Sequence, residues 1–144
     1  MAITSAICNS FKQEILEAEH NFTASSGNTF NLALYDSDAT LNKSTTAYTT
    51  SEELATTGGY TAKGKALTSV TPALSTDTAC CDFADVSWTS ASFTANGCLI
   101  FNDSHSTDAS VCAVAFGGDK TVSSGTFTVQ FPAAAATTAI IRIA

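Results

Sequence analysis

The chain has 144 residues, 44% of them hydrophobic and 13% charged, with 6 basic against 13 acidic side chains and a net charge of −7. That length suits one domain with one core, large enough to stand without disulfides or a metal. The acidic balance repels a phosphate backbone and argues against nucleic acid as a partner. A charged fraction about half the usual ~25%, replaced by Ser, Thr and Ala, points to sheets rather than solvent-facing helices.

The opening MAITSAICNSFKQE lacks a basic n-region, and its apolar positions are too interrupted for a signal core or a spanning helix. The chain is therefore expected in a reducing cytoplasm, without a membrane partner. From Thr4 to Glu19 the residues Ile7, Cys8, Phe11, Ile15 and Leu16 recur at steps of three and four. This spacing predicts one N-terminal helix, about residues 4–19, capped by Thr4 or Ser5. Its apolar stripe either packs on a sheet or docks on a partner subunit.

A β domain is expected over about residues 29–144, so that 1–144 forms one domain. Thr29 to Tyr35 places Phe30, Leu32 and Leu34 on one face at period two and reads as the first long strand. Residues 36–59 are poor in large apolar groups and rich in turn formers, which predicts a long excursion from the sheet, functional or mobile. Further strands are expected at Tyr60–Val70, Phe83–Trp88, Gly97–Phe101, Val111–Phe116, Thr126–Phe131 and Ala139–Ile143. DKTVSSGT and FNDSHSTDAS read as hairpin or inter-strand loops. The fold class is mainly β: an antiparallel β-sandwich or small barrel with one N-terminal helix.

The search for chemistry yields no catalytic, cofactor or metal site. His20 and His105 are the only histidines, and Ser104-His105-Ser106 is adjacency in sequence without a third orienting group. Asp36-Ser37-Asp38 begins like a calcium loop, but Leu41 stands where Gly is required and Ala47 where a bidentate Glu is required. Asp82 with Asp85, and Glu52 with Glu53, are acid pairs that nothing singles out from surface carboxylates. Cys8, Cys80, Cys81, Cys98 and Cys112 show no C-x-x-C spacing and read as reduced, buried, small hydrophobes. Asn21, Asn42 and Asn102 head Asn-x-Ser/Thr triplets, which matter only in a secreted protein. Trp88 reads as core rather than as a sugar platform.

The order of features carries a resemblance. FNLALYDSDATL (30–41), EELATTGGYTAKGKALT (52–68), FADVSWTSASFTANGCLIFND (83–103) and AVAFGGDKTVSSGTFTVQFP (113–132), after a short N-terminal helix, look like a recurrent family of bacteriophage virion proteins. Its members are described as capsid decoration, head or tail fibre proteins, common in phages of marine and cyanobacterial hosts. The resemblance spans nearly the whole chain and includes no catalytic motif. Cys80, Cys81, Cys98 and Cys112 are not expected to be shared as a set, so it lends no support to a disulfide role.

What the resemblance implies is a non-enzymatic virion protein, assembled in the host cytoplasm and present in many copies. The expected role is a capsid decoration or cement protein whose partners are the major capsid protein or other virion proteins, itself forming a possible homo-oligomer. The alternative is a tail-fibre or appendage module in receptor binding or fibre attachment. A small hydrolase would require a nucleophile and base that the sequence does not pair. The expected protein-contact residues are Phe11 and Ile15 on the helix and Tyr48 and Leu54, the most apolar points of the excursion.

Overall fold

The computed structural model describes residues 2–144. Its centre is the strand read most clearly from sequence, Phe30–Tyr35 (β2), which pairs antiparallel with Val86–Asn102 (β6) from Phe30↔Asn102 to Tyr35↔Gly97. β6 pairs in turn with Ser110–Val129 (β7). Ala6–Ile7 (β1) adds to β7, and Lys65–Ala66 (β3) adds to β2. The five-stranded order is β1-β7-β6-β2-β3.

Strict alternation then sorts the side chains to two faces. Leu32, Leu34, Cys98, Ile100 and Cys112 face the main core. Ala33, Tyr35, Leu99, Phe101 and Ala113 face a second, smaller one. Both faces of β2 are buried, whereas a period-two reading assigns apolar character to only one.

The main core is closed by a second antiparallel sheet, Ser69–Ser75 (β4), Thr78–Phe83 (β5) and Ile141–Ile143 (β8), in the order β4-β5-β8. The helix Asn9–Leu16 (α1) closes it further. Phe22 stacks on Phe30 with centroids 4.2 Å apart, and Phe11, Phe83, Trp88 and Ile141 complete the packing. Two distinct sheets around this core make the fold a mainly β, antiparallel sandwich with one short helix.

The excursion corrects the sequence reading. Residues 36–59 form no strand but fold back on the sheet, burying Ala39 and Leu41 on Tyr35, Leu99 and Phe101 of its outer face, while Leu54 packs against the main core. Backbone bridges at Ile3↔Leu41, Tyr35↔Glu53 and Ala47↔Ala109 fix the segment along its length. Its apolar content is small because the covering layer needs only a few side chains to face an already apolar sheet.

The helix is shorter than its periodicity predicts. Thr4 and Ser5 cap nothing: the Thr4 N–H donates to Leu41 O, and Ser5 Oγ accepts from the Ala115 N–H at 2.9 Å. Cys8 is the N-cap, without a side-chain cap bond. Pairing with β7 has taken the first apolar residues of the stripe. The helix ends where Ala18 adopts φ 61° and the Glu19 N–H reaches back to Glu14 O, a Schellman-type closure with alanine in the place glycine favours.

Several strand boundaries also move. Phe83–Trp88 is divided between β5 and β6, and Tyr60–Val70 between a loop, β3 and β4. The β4–β5 hairpin escaped the sequence reading because Pro72 interrupts its pattern, and the pairing shifts register between Val70 and Ala73 to accommodate it. Val111–Phe116 and Thr126–Phe131 are not separate strands joined by a DKTVSSGT loop. Val111–Phe116 and Thr126–Val129 lie on one bulged strand, β7, whose ladder slips register between Ala95 and Gly97 of β6 and bends there. FNDSHSTDAS does contain the β6–β7 connection. Gly97 is required at the bend, since a Cβ there would lie 2.6 Å from Val114 O and 2.7 Å from the Ile3 side chain.

Candidate contact surface

The residues weighed for chemistry lie at separate places in the fold. His20 is buried, with Nε2 2.8 Å from Glu14 Oε2 and Nδ1 3.1 Å from the Asn102 side-chain amide. Asn102 also donates toward Glu19 O and Asn28 Oδ1, while its Oδ1 accepts from the Ser104 N–H. These contacts fix the amide's orientation, so His20 Nδ1 is an acceptor and Nε2 carries the proton toward Glu14. His105 Nδ1 accepts from the Thr107 N–H, an arrangement that shapes the β6–β7 turn rather than activating Ser104 or Ser106.

The two acid pairs differ: the charge of Asp85 adds to the effect of burial on Asp82, whereas Glu52 and Glu53 part. Asp85 Oδ1 accepts from the Phe131 N–H, whereas Asp82 is buried with Oδ2 unpartnered, and burial raises its pKa above the ordinary carboxylate range. Glu52 turns away from Glu53 at φ 60° and gathers with Asp36 and Asp38, the carboxylates within 4.8 Å of one another. All five cysteines are buried and unbonded. Burial pushes the thiols of Cys81 and Cys98 up to about 12 and raises those of Cys8 and Cys112. Trp88 is 1% exposed and belongs to the core.

Glu53 anchors the covering segment. Its carboxylate accepts from the Tyr48 hydroxyl, from the Tyr60 hydroxyl at 2.6 Å and from the Lys63 N–H at 2.7 Å. The Tyr60 hydroxyl in turn accepts from the Leu34 N–H at 3.0 Å, tying the hub to the central strand. Lys63 Nζ reaches Asp103 and Asp108 of the β6–β7 turn at 3.0 and 2.9 Å, and these two carboxylates raise its pKa to about 12. Tyr48, half-buried, packs on Phe101 at 4.8 Å. Leu54, also half-buried, packs against the main core, and its N–H donates to Leu34 O. Both excursion residues expected at a partner surface are thus engaged within the chain.

The helix residues lie elsewhere. Phe11 is core, while Ile15 is half-buried. Together with Phe22, Pro72, Ala79 and Ile143 they line an apolar cavity of about 120 Å³ between α1 and the β4-β5-β8 sheet. Leu74, Ala79 and Ile143 stand opposite one another across the three strands and so share a face. Leu74 and Ile143 are 76% and 59% exposed, and Leu16 at the helix end is 88% exposed. The inner face of this sheet runs past the core it covers, leaving that end of the sandwich unsealed. Leu74 and Ile143 were not singled out from sequence because the β4–β5 hairpin and the β5–β8 pairing, which set them on either side of Ala79, are hidden in it, whereas Leu16 belongs to the helical stripe read from spacing.

Among the described residues no helix is long and apolar enough to cross a membrane. Comparison of the chain with family models, curated proteins and solved structures finds no match.

Proposed function

We propose that this chain is a non-enzymatic structural protein of a bacteriophage virion, a capsid decoration protein that binds neighbouring capsid subunits through the open apolar end of its sandwich. The observation that carries the reading is the row Leu74–Ala79–Ile143 beside the cavity lined by Phe11 and Ile15. Large side chains exposed in a contiguous apolar setting mark interaction surfaces. The resemblance of the quoted segments to phage virion proteins supplies the identity of the partner. The major capsid protein offers the many equivalent contacts that make a small interface effective.

The alternative, a tail-fibre or appendage module in receptor binding or fibre attachment, predicts far fewer copies. Counting copies per purified particle separates the two. Hundreds of copies support decoration of the shell, and a handful to a few dozen place the chain on the tail and overturn the proposal.

A further inference from the structure

Among the described residues, the outer edge of β7 is paired by another strand at two positions only. β1 pairs only with Cys112 and Ala113, and Ser5 Oγ takes the Ala115 N–H. Beyond that point, among the described residues, no strand pairs with the edge. In an antiparallel ladder alternate residues direct their N–H and C=O groups outward, so this edge presents groups that only another strand satisfies in register.

Beside the edge lies a groove of about 420 Å³ lined by Val114, Phe116, Phe127 and Val129, with Lys120, Thr128 and Gln130. Lys120 is the sole ionisable residue of the lining and belongs to no ion pair of the described residues, in a chain of net charge −7. The bend at Gly117–Asp119 keeps a partner from running the whole length of β7. The regular limb, where Phe127, Thr128 and Val129 pair with Trp88, Ser87 and Val86, remains open to a short segment.

We propose that this limb and groove form a docking site for an extended segment of a protein partner, four to six residues long, with alternating apolar side chains and one carboxylate that pairs with Lys120. The apolar side chains enter the groove, the backbone adds a strand to β7, and the carboxylate sets the register. A second whole copy is disfavoured because it brings its own charge of −7 against the same sign. This surface is separate from the unsealed apolar end and does not depend on the virion reading.

The test titrates the protein with a capped hexapeptide, Val-Thr-Val-Thr-Glu-Thr, whose glutamate shares a face with its valines, and with its counterpart carrying lysine for glutamate, following amide chemical shifts. The glutamate peptide is expected to shift the amides of residues 126–130 saturably and to bind about fivefold more tightly than the lysine peptide, as one exposed charge pair allows. Lys120→Glu, at an exposed position, is expected to reverse that order. The proposal is overturned if neither peptide perturbs the edge, or if Lys120→Glu leaves the preference unchanged. It is equally overturned if decanoate alone fills the groove, or if the same amides shift with protein concentration through self-association.

Discussion

The rings of Phe116 and Phe127 lie 6.1 Å apart although both residues belong to β7, so far apart in sequence that a straight strand would separate them by roughly 36 Å. The strand turns a corner and closes its two limbs around one groove. Gly117 at φ 74° and Gly118 at φ 127° supply the corner, and no atom lies within 4 Å of where a Cβ would stand at either. The cost of adding a side chain there is therefore conformational alone. Gly118→Ala is expected to lower the free energy of unfolding by about 1–2 kcal/mol, read by urea denaturation. At Gly64 the added Cβ would lie 1.8 Å from Leu32 O, so Gly64→Ala should cost more than Gly118→Ala.

The same corner shows what was legible in the sequence. The apolar runs 111–116 and 126–131 were visible from alternation, and so was the break between them. What alternation does not reveal is that β6 continues alongside, so that the ladder slips register at 116–119 and resumes at Lys120 within a stretch composed of turn formers. In the same way Phe30, Leu32 and Leu34 gave one face of the central strand, but the burial of Ala33 and Tyr35 depends on the distant segment around Leu41. Of the cavity lining at the open end of the sandwich, Phe11 and Ile15 lie on the helical stripe legible from spacing. Leu74 and Ile143 come onto one face, either side of Ala79, only through the β4–β5 hairpin, whose Pro72 hides its period, and the distant β5–β8 pairing.

Glu53 makes the covering segment sensitive to alkali. Burial first, then the hydrogen bond and charge of Glu53, push the Tyr48 phenol from 10.0 up to about 12. A raised folded-state pKa favours the neutral phenol, so its contribution to stability is complete below pH 10 and is lost as pH climbs through 12. Glu53→Gln is expected to lower the Tyr48 transition only part of the way, because the larger effect of burial remains, as followed by phenolate absorbance. It should also cost roughly 1–3 kcal/mol at neutral pH, because one amide oxygen replaces a carboxylate that serves three donors.

Asp82 acts in the opposite region of the pH scale. Burial raises its pKa above 3.8, against the lowering effect of the Phe83 and Ile140 amides. The folded state therefore holds the proton more tightly than the unfolded chain. The stabilisation from that proton is full below the unfolded value and disappears as pH rises through the folded one. Asp82→Asn is expected to raise the melting temperature at pH 7, with the advantage shrinking as pH is lowered through the carboxylate range. Thermal melts across pH check this, and a variant less stable than the wild type at pH 7 contradicts it.

The thiols give a further check on the core. Because Cys8, Cys80, Cys81, Cys98 and Cys112 are all buried and unbonded, native protein is expected to react negligibly with a thiol reagent at pH 8. After denaturation all five should react, and fewer would indicate a disulfide.

Ala18 offers a gain rather than a loss. It holds φ 61° at the helix end, a conformation that disfavours a Cβ. Ala18→Gly is expected to stabilise the protein by about 1 kcal/mol, measured by chemical denaturation.

The contact surface is tested most directly by occupancy on particles. Leu74→Asp with Ile143→Asp alters two exposed positions, so circular dichroism should show the fold unchanged. Added to phage heads lacking the protein, the wild type is expected to fill the shell to hundreds of copies. Losing the burial of two large apolar side chains, roughly 1.5–3 kcal/mol each, should weaken the double variant more than tenfold. Equal occupancy by the folded variant would contradict the assignment of the apolar end as the capsid-binding surface, and failure of the wild type to bind heads would contradict the decoration role itself.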